Sequence, residues 1–267
     1  MPELPEVETI ARNLRPELVG RRILSVGLFW PRTLARPGMG EFHQRMSGQR
    51  IEAVVRRAKY LHLVLSDGNL LIHLRMSGDL LLRASPCDPA PHDRLHLALD
   101  SGQTLAFNDT RKFGRVWLVD DPHEVLGSLG PEPFGDDFTP DIFFNRLQAR
   151  RRQLKPLLLD QSFLAGLGNI YSDEALHLAG LHPLRQSDTI TGEETHKLFT
   201  AIRSVLQAGI ENNGASIDWV YRGGGFQNHF RAYGRTGQPC PVCAAPIERI
   251  VVGQRSTHFC PHCQGNE

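Results

Sequence analysis

The segment Cys240–Cys263, CPVCAAPIERIVVGQRSTHFCPHC, decides more about this chain than any other. Its two Cys-x2-Cys pairs can each present two thiolates to one ion, and two such pairs complete a tetrahedral zinc site. Four protein ligands leave no open position on the metal, which predicts a structural ion rather than a catalytic one. Two disulfides are the alternative, but the N-terminal sequence lacks the features of a secretion signal. We therefore predict one structural Zn²⁺ held by Cys240, Cys243, Cys260 and Cys263, and an inert thiol at Cys87.

The stretch between the cysteine pairs is typical of two short strands joined by a turn at Gly253–Arg255. A two-stranded hairpin is marginally stable alone, and a metal beside it would supply the missing rigidity. Arg255 at the tip could then bind a phosphate through its guanidinium. An arginine that is simply solvated fits the same pattern equally well.

The charge balance excludes a uniformly basic protein that coats polyanions. The 267 residues contain 30 Lys+Arg and 29 Asp+Glu, which gives a formal net charge of +1. A DNA-binding surface is still possible, because such surfaces are local whereas net charge is global. Basic residues cluster in Arg56–Lys59, Arg111–Arg115 and Arg146–Lys155, which favours a nucleic-acid partner over a set of solvated faces. No apolar run is long enough to span a membrane, so the expected location is the cytoplasm.

Hydrophobic periodicity predicts a β-rich N-terminal part. A helix is expected from about Pro5 to Gly20, because its apolar residues recur at helical spacing. From Ile23 to Asp120 several short alternating segments predict an antiparallel sandwich. We interpret Ile51–Leu65 as one β-segment that forms a hairpin with Leu70–Leu74. The further predicted strands are His92–Leu99, Thr104–Phe107 and Val116–Val119.

After the Pro/Gly/Asp-rich segment Gly130–Pro140 the period becomes helical. The predicted helices are Asp141–Ala149, Lys155–Ala165, Ile170–Ala179 and Gly192–Asn212, the last with Thr191 and Glu194 as a capping box. The glycines of Gly166–Ile170 permit a tight turn before a helix N-terminus, whose backbone N–H groups could cradle a phosphate. A plain corner between helices would need the same glycines.

Two further features could carry chemistry. Removal of Met1 would expose Pro2 as an amine that is less protonated at neutral pH than a lysine and can attack a sugar C1′, with Glu3 beside it to move a proton. An ordinary disordered terminus is the alternative. Phe113 stands among basic residues and could wedge into a base stack, or it could fold back into the core. Met76 could likewise wedge into a base stack or fill the core.

These motifs together resemble the formamidopyrimidine-DNA glycosylase/endonuclease VIII family of DNA repair enzymes. The resemblance covers essentially the whole chain and rests on an ordered set of short motifs. They are PELPEVETI (Pro2–Ile10), RAKYL (Arg57–Leu61), HLRMSG (His73–Gly78), DTRKFG (Asp109–Gly114), LGPEP (Leu129–Pro133), LKP (Leu154–Pro156), GLGNIY (Gly166–Tyr171), YGR (Tyr233–Arg235) and the four-cysteine finger. PELPEVET with LKP favours the formamidopyrimidine branch.

The resemblance implies a role for each matching residue. Pro2 is implied to be the nucleophile at C1′ and Glu3 the acid/base. Lys59 is implied to hold phosphate and assist β-elimination, and Arg255 to bind phosphate and assist δ-elimination. The residues implied to contact DNA are Met76, Arg111 and Phe113, which fill the gap left by an extruded nucleotide, and His92, Arg150, Lys155 and Asn169.

The chain departs from the family pattern in a few places. Arg94 stands where a second histidine is common, Thr110 replaces the usual proline, and Arg75 stands where glycine is frequent. Arg150 replaces a frequent lysine. The segment Asp218–Phe226 is shorter than the family's usual loop over the extruded base, so the choice of lesion is less defined than the chemistry.

The predicted protein is therefore a multidomain α+β enzyme. Its N-terminal helix and antiparallel β-sandwich would occupy residues 1–130, a linker 131–141, a helical helix–two-turn–helix domain 142–230, and the zinc finger 231–267. The predicted function is that of a bifunctional DNA glycosylase and AP lyase of base excision repair, a monomer acting on oxidised purines in damaged double-stranded DNA. The alternatives are an endonuclease VIII-like preference for oxidised pyrimidines, or a non-catalytic zinc-finger DNA-binding protein.

Overall fold

The computed structural model describes residues 1–217 and 223–265. Two compact units contain them. The first comprises Met1–Pro2, Glu6–Ser128 and the described residues of 216–223, and the second comprises Glu3–Pro5, Leu129–Ala215 and the residues from Gly224 onward. Part of the segment Asp218–Phe226, residues 218–222, lies outside the described residues. Within the described part of the chain, no helix has both the length and the apolar character needed to cross a bilayer.

The first unit contains a long helix and two sheets. Helix α1 spans Leu4–Leu18 and ends before Gly20, whose φ of +84° a side chain would strain. A four-stranded antiparallel sheet has the order β1-β7-β8-β6, and a five-stranded sheet the order β2-β9-β5-β4-β3. The strands are β1 (Ile23–Leu28), β2 (Leu34–Arg36), β3 (Ile51–Arg57), β4 (Tyr60–Leu65), β5 (Asn69–His73), β6 (Gly78–Ala84), β7 (Asp93–Leu99), β8 (Gln103–Asp109) and β9 (Arg115–Val119). Two short helices, α2 (Met39–Met46) and α3 (His123–Leu126), complete the unit.

The prediction of one β-segment over Ile51–Leu65 is wrong. The chain reverses at Ala58–Lys59, and Arg57 pairs with Tyr60 across the turn. Ala58 takes a φ of +53°, a conformation usually signalled by Gly, Asn or Asp. Because none of these residues marks the turn, the apolar pattern runs through it unbroken. Helices α2 and α3 and strands β1, β2 and β6 have no counterpart among the individually predicted segments.

The second unit is helical and ends in the finger. Its helices are α4 (Pro140–Gln148), α5 (Leu154–Leu159), α6 (Asn169–Ala179) and α7 (Gly192–Glu211), and its hairpin consists of β10 (Glu248–Val252) and β11 (Arg255–Phe259). The predicted capping box on α7 is confirmed by both of its hydrogen bonds, between Thr191 and Glu194. The prediction of a helix over Lys155–Ala165 is wrong about where that helix ends, because α5 stops at Leu159. Asp160 follows and accepts hydrogen bonds from the Ser162 backbone at 3.0 Å and hydroxyl at 2.7 Å, which replace helical ones.

Each unit has its own hydrophobic core. In the first, α1 and both sheets enclose one cluster that includes Leu14, Phe42 and Leu63. In the second, the four helices enclose another that includes Phe143 and Tyr171, together with Leu4, the first residue of α1. The segment Glu3–Pro5, called the N-terminal arm below, therefore belongs to the second unit, although α1 continues from it into the first. The predicted α+β multidomain class is confirmed.

Candidate active site and metal centre

Glu3 sits on the N-terminus of α6. Its carboxylate accepts hydrogen bonds from the backbone N–H groups of Gly168 at 2.6 Å, Ile170 at 3.0 Å and Tyr171 at 3.4 Å. A helix N-terminus offers unpaired N–H groups and the positive end of the helix dipole, so it suits an anion. The glycines of Gly166–Ile170 had suggested that a phosphate binds at this helix N-terminus. The structure corrects that reading, because the anion held there is Glu3 of the chain itself, which is only 3% exposed.

The glycines before α6 shape the turn around the N-terminal arm. The Leu4 N–H donates to the Gly166 carbonyl at 3.1 Å, and Gly166 has a φ of +104°. A Cβ at Gly168 would lie 2.7 Å from Glu3 Cγ and closer still to its Cδ and Oε1. Gly168 is therefore needed for the carboxylate to reach the helix. Pro2, next to Glu3 in the chain, is buried, and its predicted amine becomes free only once Met1 is removed.

Lys59 lies in the turn between β3 and β4, where it is buried beside His73 of β5. Burial, together with the charges of Arg75 and Lys59, lowers the pKa of His73 to about 3. His73 Nδ1 accepts the Arg75 backbone N–H at 3.0 Å, so the ring is neutral with its proton on Nε2 and can act as a donor. His73 was not among the predicted site residues, because only Met76 of the motif His73–Gly78 had been assigned a role. His73 pairs with Tyr60, the residue after Lys59, and this proximity becomes recognisable only when the turn at Ala58 is known.

The loops that carry Met76 and Phe113 are tied together by buried Asp109. The Asp109 carboxylate accepts from the Ser77 hydroxyl, from the Arg111 backbone N–H at 3.2 Å and from the Gly114 backbone N–H at 2.7 Å. Met76 is 39% exposed and Phe113 47% exposed, so neither fills the core, and the reading of both as buried residues is excluded. The Arg111 guanidinium lies over the Phe113 ring at 5.0 Å. The structure thus presents two apolar side chains and a cation from adjacent fixed loops.

His92, also predicted to contact DNA, is exposed at a φ of +76°. The adjacent Asp93 carboxylate holds this segment through hydrogen bonds from Arg83, His96, Asn108 and the Ala90 backbone. Burial alone would raise the pKa of Asp93, but the hydrogen bonds outweigh it and lower the pKa to about 2. Asp93 is therefore an anionic anchor, and His92 projects from a fixed loop.

Lys155 does not face solvent. It is 0% exposed, and its ammonium donates to the Asn169 carbonyl at 2.9 Å, the Ser172 hydroxyl at 2.8 Å and Asp173 Oδ1 at 2.5 Å. These three acceptors use all three of its donors. The expectation that Lys155 binds DNA directly is thus corrected. Burial lowers the pKa of Lys155, although the negative charges of Asp173, Glu3 and Glu174 oppose that shift.

The other predicted DNA contacts of this unit are more accessible. Arg150 is partly exposed, and its guanidinium lies over the Phe163 ring at 5.3 Å. Asn169 begins α6 and donates to the Ser256 carbonyl at 2.9 Å. Arg255 is exposed at the first position of β11, beside the turn at Gly253–Gln254. The first turn of α6 and the tip of the finger hairpin are thereby brought together.

The four cysteines form a metal site. Their sulfur atoms all lie within 4.8 Å of one another, and Cys240 and Cys263 sulfurs are 3.8 Å apart. A tetrahedral zinc with Zn–S bonds of about 2.3 Å requires sulfurs about 3.8 Å apart, so the cluster fits the ion. His177 of α6 places Nε2 3.3 Å from Cys240 Sγ. The predicted structural zinc is confirmed.

Three family models match the chain. They are the formamidopyrimidine-DNA glycosylase N-terminal domain over residues 1–116, the H2TH domain of the same enzymes over 129–220, and a zinc finger found in FPG and IleRS over 237–265. The chain belongs to the formamidopyrimidine-DNA glycosylase family. The helix–two-turn–helix element implied by the resemblance is thereby confirmed.

Individual members of the formamidopyrimidine-DNA glycosylase family match over nearly the full length. The enzyme of that name from Chloroflexus aggregans is 51% identical, with 99% of this chain and 98% of the relative covered. That from Herpetosiphon aurantiacus is 48% identical, with 99% and 100% covered. Two solved structures of the Lactococcus lactis Fpg, one with DNA containing an abasic site and one with DNA containing an N7-benzyl-Fapy-dG, share 36% and 37% identity. Both have a TM-score of 0.93 and cover 99% of this chain and 100% of their own.

Proposed function

We propose that this protein is a bifunctional DNA glycosylase and AP lyase of base excision repair that removes oxidised purines from duplex DNA. The observation that carries the proposal is the Glu3 carboxylate, fixed by three backbone N–H groups at the start of α6 and covalently next to Pro2. Relatives named formamidopyrimidine-DNA glycosylase at 51% and 48% identity support the substrate class. A general acid joined to a secondary amine is what glycosylase and lyase chemistry needs.

The chemistry begins with the Pro2 amine. Its nitrogen attacks C1′, and the damaged base leaves with the electron pair of the glycosidic bond while the amine loses its proton. The Glu3 carboxylate takes up that proton and gives it to O4′, the sugar ring opens as the C1′–O4′ bond breaks, and an iminium forms between Pro2 and C1′. Loss of a C2′ proton expels the 3′ phosphate in β-elimination. A second elimination expels the 5′ phosphate from C5′.

The other predicted residues serve this reaction by binding DNA. Lys59 holds a phosphate and assists β-elimination, and Arg255 assists the second, δ-elimination. Met76, Arg111 and Phe113 enter the space that an extruded nucleotide leaves, because the amine cannot reach C1′ inside the base stack. His92, Arg150 and Asn169 bind the backbone. Zinc supplies only rigidity to the finger, since four thiolates fill its coordination sphere.

Borohydride trapping tests the proposal directly. Reduction of the iminium should link the protein covalently to duplex DNA that contains an 8-oxoguanine, and Pro2→Gly should abolish most of this adduct. Glu3→Gln should prevent base removal while it keeps an oxygen that can still accept hydrogen bonds at α6. The absence of any adduct from protein whose Met1 has been removed would refute the mechanism.

The substrate class is tested with a panel of duplexes. We expect faster cleavage of 8-oxoguanine and formamidopyrimidine duplexes than of a 5,6-dihydrouracil duplex. Faster cleavage of the pyrimidine lesion would replace the proposal with an endonuclease VIII-like preference. Protein that binds every duplex and cleaves none would instead indicate a non-catalytic zinc-finger DNA-binding protein.

We also propose that the protein acts as a monomer in the bacterial cytoplasm, bound to the nucleoid through DNA. Sedimentation equilibrium of the free protein and of its complex with a short duplex measures the stoichiometry. A single 29.9 kDa species is expected for the free protein.

A further inference from the structure

Strand β11 carries Arg255 and lies along helix α6, and one buried side chain of α6 bonds to it directly. We propose that Asp173 is a positioning residue for Arg255, because it fixes β11 and with it the guanidinium at the start of that strand. The inference rests on the proposed function, in which Arg255 assists δ-elimination. It adds a residue that no motif of the sequence analysis singled out for a role.

The two oxygens of the Asp173 carboxylate serve different partners. Oδ1 accepts from Lys155 Nζ at 2.5 Å. Oδ2 accepts from the His258 backbone N–H at 3.0 Å and from His258 Nδ1 at 3.1 Å. Since a carboxylate only accepts, the His258 Nδ1 atom must carry a hydrogen. Asp173 thus joins a buried cation of α5 to the zinc-side half of β11, and it is itself only 1% exposed.

A second contact brings this attachment close to Arg255. Asn169, one turn before Asp173 on α6, donates to the Ser256 carbonyl at 2.9 Å. Ser256 is the neighbour of Arg255, and His258 lies two residues further along the same strand. The zinc site lies at the base of the hairpin, where Cys260 follows β11. Helix α6 therefore bonds to β11 at two points, at His258 near that base and at Ser256 beside Arg255.

Asparagine at position 173 cannot reproduce this arrangement. An amide has one acceptor oxygen and one donor nitrogen, whereas the carboxylate faces three donors, from Lys155 and from the His258 backbone and ring. One side of the amide would therefore place a donor against a donor. The buried Lys155 charge would also lose its ion pair, whose carboxylate is likewise fully buried. Strand β11 should then sample several positions against α6.

The test is the ratio of δ- to β-elimination products from a duplex with an abasic site. The Asp173→Asn variant should accumulate β product, with the ratio lowered about ten- to hundredfold, because displacement of a reacting group by about 1 Å costs on that order. Borohydride trapping depends on Pro2, so it should remain at the wild-type level. Bound zinc, measured by metal analysis, should remain equimolar. A general loss of structure would lower trapping and product ratio together.

A milder variant keeps the inference testable if Asp173→Asn does not fold. His258→Phe preserves the ring that packs edge-on against Tyr233 at 5.1 Å, and it leaves the pair of Lys155 and Asp173 intact. It removes only the ring donor, so a smaller fall in the same ratio is expected. Asp188→Asn, at a partly exposed aspartate 4.0 Å from Arg151, is the matched control and should change nothing.

The inference is overturned if zinc-loaded, folded Asp173→Asn and His258→Phe proteins keep the wild-type ratio of products. It is also overturned if trapping falls as far as the ratio in both variants, because the residues would then be merely structural. Failure of the proposed function has a different signature, since it would appear in the wild-type protein as no trapped adduct.

Discussion

Gly168→Ala is the sharpest test of the role given to Glu3. The added Cβ would lie 2.7 Å from Glu3 Cγ and closer to the carboxyl carbon, whereas ordinary contact begins at 3.4 Å. The carboxylate must therefore move by about 1 Å, since the backbone of α6 offers no slack in a packed core. That movement breaks or lengthens the hydrogen bonds from Gly168, Ile170 and Tyr171, which measure 2.6, 3.0 and 3.4 Å.

The expected loss can be estimated from these contacts. A hydrogen bond to a charged group contributes about 1.5–3 kcal/mol, and misplacing a reacting group by about 1 Å costs about a hundredfold in rate. We expect single-turnover excision of 8-oxoguanine to slow by about a hundredfold, equivalent to about 2.7 kcal/mol in the barrier. Lyase action on a preformed abasic site should fall less, because no base has to be expelled.

The matched control is Gly192→Ala, at the first position of α7, where an added Cβ meets nothing within 4 Å. It should keep wild-type excision and slightly stabilise the protein, because alanine favours the helix. Thermal denaturation of both variants separates loss of stability from loss of chemistry. Wild-type excision by a folded Gly168→Ala protein would show that the position of the Glu3 carboxylate does not limit base removal.

Three further outcomes follow from the structure. Cys260→Ser should abolish stoichiometric zinc binding and weaken duplex binding in fluorescence anisotropy. A variant that still binds zinc and DNA like the wild type would exclude a structural metal at the four cysteines. Burial lowers the pKa of His73 to about 3, against about 6.5 for a histidine in water, so protonation favours unfolding. The stability that the neutral ring contributes is complete above about pH 6.5 and is lost as the pH falls toward 3. In urea denaturation, the free energy of unfolding of the wild-type protein should fall by about 2 kcal/mol more between pH 7 and 5 than that of His73→Asn. The variant His196→Asn, at an exposed site, should lose as much stability as the wild type over that range. Lys112 Nζ lies 4.1 Å from the centre of the Trp30 ring, and this cation–π contact holds the loop that carries Phe113. Lys112→Met and Trp30→Leu should therefore each weaken duplex binding about two- to fivefold. Unequal losses would show that the contact between these two side chains is not what holds the loop.

The elements with a local signal were predictable from the sequence. Helix α1 and the capping box of α7 follow from periodicity and from side chains within one turn, and the zinc site follows from cysteine spacing. The turn at Ala58 was missed because its positive φ has no glycine to mark it. The residue that caps α6 was not predictable, because Glu3 lies 165 positions away from Gly168 in the sequence.

The misreading of Lys155 has a related cause. A run of arginines before it suggested a solvent-facing cation, yet the first turn of α6 supplies three acceptors that bury it. Burial of a charge depends on partners that the fold brings from elsewhere, here Asp173, and a linear pattern does not contain them. His73 was missed for the same reason.

The hydrogen bond between Glu3 and Gly168 spans 165 positions of the chain. A ribosome adds about 5–20 residues per second, so the N-terminus waits for about 10–30 s before its binding partner has even been synthesised. During that interval the Glu3 carboxylate has no helix N-terminus to hold it. If Glu3 is the acid of the proposed mechanism, we expect a nascent or truncated chain that lacks α6 to be unable to nick DNA, even when its amine is already free. Synthesis itself would then delay the activity until the second unit exists.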